Sequence, residues 1–177
     1  MIIIPPSKES LNSYYQGYLK YLKGNDMIAA LKEQQLTTQK MLSELHQSLG
    51  EVTYSPDKWM LKEVVGHVTD TERILCYRAL RCARNDQTEM EAFDENNYVK
   101  NANFRNRFLF DIARELSIVR ESTISLFFSL SEESLDFKGK ANGVTISARI
   151  VLFFIVVHQY HHLQVIKDRY LDRSFSG

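Results

Sequence analysis

Three of the chain's five histidines, His158, His161 and His162, crowd into one strongly apolar segment, and a fourth, His67, lies in another helical-looking stretch. Imidazole binds divalent metals and carries protons near neutral pH, so such a cluster points to metal or acid-base chemistry. Residues four apart on a helix stack on one face, and His158 and His162 can therefore aim both rings at one point. His161, three residues from His158, competes for that place. The row Val151, Ile155, His158, His162, Val165 stays apolar nearly to its end, whereas Ile150, Phe154, Val157, His161, Gln164, Asp168 turns polar after its histidine. The pattern puts His162 in the seam between helices and His161 toward a rim or an interface. His67 shares a row with Met60, Val64, Thr71 and Ile74 and points inward by the same periodicity. One core-facing histidine is ordinarily satisfied by a carbonyl or a hydroxyl. Three on two helices also fit a metal site, and spacing alone leaves both readings open.

Chemistry prunes the neighbouring possibilities. A zincin-type protease needs a glutamate directly after the first histidine of the pair, and Gln159 stands there instead. A di-iron bundle needs Glu three residues before a histidine, which His158, His161 and His162 all lack. Asp70, one turn beyond His67, either orients a ligand or bound water from behind the histidines or pairs with Arg73 or Arg78 on the surface. Arg78 and Arg81 continue the His67 row, where they would either receive a carboxylate-bearing substrate or form a solvated face. Trp59 reads as a packing anchor, and Asp94 and Tyr98 fall in a connection that would cover the site.

Four long segments carry helical period and must position these groups. They run from about Asp26 to Leu49, Trp59 to Arg84, Arg105 to Leu130, and Ile146 to Leu171. In the third, Phe108, Ile112, Leu116, Val119 and Leu126 form the expected buried stripe. The fourth follows a loop at Lys138 to Gly143 and is capped by Thr145 or Ser147. Its uninterrupted apolar run, Ile150 to Val157, is far short of the roughly 20 residues of a bilayer span, so a central buried helix is expected. Leu11 to Lys23, with Tyr14, Tyr15, Tyr18 and Tyr21, reads as a short helix or strap. Asn85 to Asn103 is a polar crossover between the second and third helices. The expected architecture is all-α: four helices with one long crossover, in a single domain spanning residues 1–177.

Composition narrows the partners. Lys plus Arg and Asp plus Glu both number 22 in 177 residues, so neither a nucleic-acid footprint nor an acidic solvating chain is present. The two cysteines, Cys76 and Cys82, point to different helix faces and do not form a disulfide framework, which suits a cytoplasmic location.

The sequence resembles the DinB superfamily of small metal-binding four-helix proteins, which includes bacillithiol S-transferases and metal-dependent hydrolases. The likeness rests on Tyr54 to Trp59, Lys62 to Arg73 with Tyr77 to Arg81, Phe93 to Tyr98, Ala141-Asn142-Gly143, and His158 to His162, in that order and spacing. It implies an up-down-down-up bundle in which His67, His158 and His162 bind one divalent metal, with Zn, Ni and Fe all compatible with imidazole. Two positions depart from the pattern. Met60 replaces a common Ser, which removes the usual capping box, and Gln159 replaces a common acidic residue. The implied function is a metal-dependent enzyme that activates water or a low-molecular-weight thiol against a small electrophile, as a hydrolase or thiol S-transferase. The alternative is a non-catalytic metal-binding or structural bundle. A homodimer is compatible with either, with Phe127 or Phe128 as candidate contacts.

Overall fold

The computed structural model describes residues 1–172, so residues 173–177 of the expected unit lie outside the described residues. Six helices form: α1 (Ser13–Gln16), α2 (Met27–Ser43), α3 (Leu61–Ala83), α4 (Glu95–Asn101), α5 (Leu109–Phe128) and α6 (Ala148–Val165). The four long ones, α2, α3, α5 and α6, make the bundle, with α3 and α2 each packed against both α5 and α6. A hairpin of β1 (Lys138–Ala141) and β2 (Val144–Ser147) leads into α6.

The helices are shorter at their ends than the periodicity predicts. α2 stops at Ser43, and Gln47–Glu51 form a separate 3₁₀ turn capped by His46. α3 begins at Leu61, after Trp59 and Met60. The Met60 side chain cannot replace the hydroxyl of a capping box, but the other half survives, because the Met60 N–H donates to Glu63 Oε2 at 2.8 Å. α5 starts only at Leu109, so Phe108 is 67% exposed rather than part of the buried stripe. Phe104, brought in by a preceding 3₁₀ turn, fills the core there. Its ring lies so close to Gly66 that a Cβ at Gly66 would come within 2.5 Å of it. On α3 the buried row passes through Leu75, while Met60 and Ile74 are only half-buried.

The expected loop at Lys138 to Gly143 is the hairpin instead. Asn142 and Gly143 take positive φ values of 50° and 71°, the geometry of a tight two-residue turn. The crossover secures it: Met90 N–H donates to Lys140 O, and Asn142 N–H donates to Met90 O. Ser147, not Thr145, caps α6, accepting from Ile150 N. The crossover contains α4, whose cap is Asp94.

α6 is the centre of the core. Ala148 is buried, as is every residue from Ile150 to Tyr160. Together with its π-helical extension to Leu171 it is long and apolar enough to cross a membrane, yet 61% of its most apolar window is buried inside the fold. Packing accounts for its hydrophobicity, as expected of a central helix. The N-terminal strap combines α1 with 3₁₀ turns and is tied down by the fully buried Ile3, whose carbonyl accepts from Met27 N. Cys76 and Cys82 are both free thiols.

A polar knot pins the four long helices at one level. Glu72 and Arg120 form a buried two-pronged ion pair at 2.8 and 2.7 Å. Arg120 also donates to Leu31 O, Gln34 Oε1 and Gln159 Oε1, while Thr123 donates to Glu72. Gln159 completes the knot by donating to Thr38 at 2.9 Å.

Candidate metal centre

His67 comes from the N-terminal third of α3, and His158 and His162 from the C-terminal half of α6. The facing of α6 is set from both sides: the polar knot holds Gln159 on one side, which leaves its neighbour His158 turned toward α3. His67 Nε2 lies 3.3 Å from His158 Nε2, and His162 Nε2 lies 3.1 Å from the same atom. One ligand atom from each of the three residues lies within 4.8 Å of the others. A tetrahedral metal with nitrogen ligands at about 2.0–2.1 Å places those nitrogens roughly 3.3–3.4 Å apart, which the two separations at His158 approach.

The electrostatics suit neutral ligands. Burial is the main cause at each ring: it lowers His67 to about 4, His162 to about 3, and His158 well below the usual histidine range. Neighbouring imidazoles add to the effect at all three. Each ring is therefore uncharged at neutral pH, with one of its two nitrogens offering a lone pair to a cation. Thr71 Oγ1 makes a long 3.5 Å contact with His67 Nδ1, and Trp59 stacks at a tilt on the His67 ring, 4.9 Å away. Tyr170 fixes the Trp59 backbone by donating to its carbonyl at 2.7 Å.

The histidines open on a cavity of about 610 Å³, within the range of small-molecule sites. Tyr14, Tyr15 and Tyr18 of the strap form one wall, Phe154 another, and Phe93, Glu95 and the hairpin residue Asn142 complete the rim. His161 faces this cavity too, but its Nδ1 is engaged by the Tyr21 hydroxyl at 2.9 Å and its ring packs against Tyr18. The rim assigned to it from sequence is thus covered by the strap.

Other sequence candidates fall elsewhere. Asp70 is not on the cavity wall. It pairs with Arg73 at 3.2 Å and lines a shallow groove with Tyr98, and burial raises its carboxyl. Arg81 pairs with Asp86 outside the cavity. Arg78, in contrast, does line the cavity, so a merely solvated face does not describe it. Of the two candidate dimer contacts, Phe127 is fully buried and only Phe128 is exposed. Sequence reasoning gave no role to Glu95 or Asn142. Both lie inside the stretches that carried the family resemblance, which was the available signal.

The sequence profile of the DinB superfamily matches residues 28–166, a span that includes all three histidines. The chain belongs to the DinB superfamily. Among solved structures it is similar to YfiT from Bacillus subtilis, described as a probable metal-dependent hydrolase with an unusual four-helix bundle topology. The similarity covers 96% of this chain and 93% of that one, with a TM-score of 0.75 at 16% identity. At that identity it shows a shared DinB fold. No curated protein sequence matches the chain.

Proposed function

We propose that this DinB protein is a metal-dependent enzyme in which His67, His158 and His162 hold one divalent transition metal. A small electrophilic molecule in the adjoining cavity is attacked by water or by a low-molecular-weight thiol. The observation that carries the reading is the convergence of three neutral imidazoles, two buried and the His162 ring half-buried, on the inner wall of a 610 Å³ cavity. A purely structural zinc site is closed by four protein ligands, whereas three leave a position for a reactant.

Bound there, a divalent metal supplies Lewis-acid charge that lowers the pKa of water or a thiol. Uncharged ligands leave that charge undiminished. Trp59 and Phe154 pack against the His67 and His158 rings, and this apolar cover lowers the local dielectric and strengthens electrostatic interactions there. Glu95, the one carboxylate among the described lining residues, is the protein group available to accept a proton. Hydrolysis is the simpler reading. Thiol transfer is favoured by the cavity volume, which accommodates two small reactants together. The balanced charge and the buried α6 support a cytoplasmic protein without nucleic-acid or membrane partners.

The test is metal analysis of protein purified without a metal-affinity column, followed by esterase and thiol-transfer assays on wild type and His158→Ala. Near-stoichiometric metal is expected in wild type, with metal and turnover lost together in the variant. Wild type that neither contains nor takes up Zn²⁺ or Ni²⁺ removes the reading.

A further inference from the structure

The geometry points to an anion subsite at Arg78, so that the cavity selects an elongated small molecule with an apolar or aromatic middle and a terminal carboxylate. The inference rests on the reading of this cavity as the reaction chamber and adds which molecules it admits.

Arg78 is the only Lys or Arg among the described residues lining the cavity. Arg73, Arg81, Arg105, Arg107, Arg120 and Arg149 are each paired with a carboxylate. Among the described residues Arg78 has none within ion-pair distance, although it is half-buried. Its guanidinium is nonetheless held in place. One Nη donates to Glu91 O at 2.6 Å, and the group lies 5.8 Å from the centre of the Phe93 ring. A guanidinium has five N–H donors in a rigid fork, so fixing one edge leaves others to receive a carboxylate side-on.

Its position sets the shape of the ligand. His67, Thr71, Leu75 and Arg78 form one row on α3, and all four line the cavity. Eleven residues separate His67 from Arg78, about 16 Å of helix axis before the side chains lean inward. The wall between them carries Leu75, Val144 and Phe154, with Tyr15 close enough to Arg78 to feel its charge. Glu95 also lines the cavity, yet among the described residues it makes no ion pair with Arg78. A molecule with its reactive centre at the histidines therefore lays an apolar body along this wall and ends at Arg78.

The test compares 4-phenylbutyrate with 4-phenylbutan-1-ol by isothermal calorimetry on chelator-treated full-length protein, so that no metal contributes to carboxylate binding. Trp59, the sole tryptophan and a cavity residue, reports occupancy through its emission. Wild type should bind the acid about tenfold or more tighter than the alcohol, the ordinary worth of a charge-assisted hydrogen bond. Arg78→Met, with unchanged circular dichroism, should remove that preference, and added salt should narrow it in wild type. Equal affinities in wild type, no saturable binding of the acid, or a preference that survives in Arg78→Met overturns the subsite. Should the variant misfold, the wild-type comparison and its salt dependence still decide. Failure here with normal metal uptake removes only the anion subsite, whereas an intact preference in a protein that binds no metal removes only the metal reading.

Discussion

His161 and His162 are adjacent in the chain, yet the helix turns about 100° between them, and that rotation gives them different chemistry. His162 turns its Nε2 toward His158, while His161 spends its Nδ1 on the Tyr21 hydroxyl. The apolar row containing His162 carried this distinction in the sequence. The partner of His161 was not visible, because the strap reaches it from 140 residues away. The two rings should therefore separate under mutation. His161→Ala is expected to keep metal affinity within a few-fold of wild type while loosening the strap. His162→Ala should lose more than about 100-fold, since a ligand costs more than the 10–100-fold typical of its supporting partners. Competition against a chromophoric chelator measures both. A large loss in His161→Ala with little loss in His162→Ala would mean that His161, not His162, completes the ligand set.

At the level of elements, the apolar periodicity located the four long helices but not the polar knot that ties them together. Arg120, Glu72, Gln34, Thr38 and Gln159 are all buried, and a search for apolar stripes passes over them. Reading Gln159 only as an absent acid likewise missed its structural part. The hairpin escaped for another reason: Lys-Gly-Lys-Ala lacks the β-branched alternation of a strand, and the pairing of Met90 with the hairpin supplies what local sequence does not. Phe108 fitted the helical stripe by spacing, but Phe104 arrives first and occupies the core. The knot also has a measurable weight. In Glu72→Gln the Arg120 guanidinium stays buried without its countercharge, and breaking a buried pair from one side costs about 3–5 kcal/mol. Urea unfolding of the metal-free protein should show that loss. A change below about 1 kcal/mol would mean that the knot contributes little to holding α6 in register with α3.

For the whole molecule, packing three imidazoles into a low-dielectric seam links stability to pH. An unfolded histidine titrates near 6.5, whereas burial lowers His67 to about 4, His162 to about 3 and His158 further. As pH falls below 6.5, the unfolded chain takes up protons that the folded chain refuses. The stability contributed by these groups is therefore complete above that pH and is lost progressively as pH descends toward the folded values. Each ring contributes up to about 1.4 kcal/mol per pH unit. Carboxylates with lowered values, such as Glu115 and Asp136, lose their stabilising effect only nearer their own unfolded range around 4, so a loss of stability between 6.5 and 5 belongs to the histidines, opposed by the raised carboxyl of Asp70. The melting temperature of metal-free wild type should fall steeply across that interval, and His158→Leu should flatten the slope by removing one of the four histidines, His67, His158, His161 and His162, whose burial resists protonation. Saturating Zn²⁺ should raise the curve at pH 5 at least as much as at neutral pH, because the folded ligands are uncharged across that interval whereas the histidines of the unfolded chain become protonated and bind the metal less. A melting temperature that stays level from 6.5 to 5 in the metal-free protein would show that the rings are solvated and charged there, and the neutral, inward-facing donor set on which the metal site depends would fall with it.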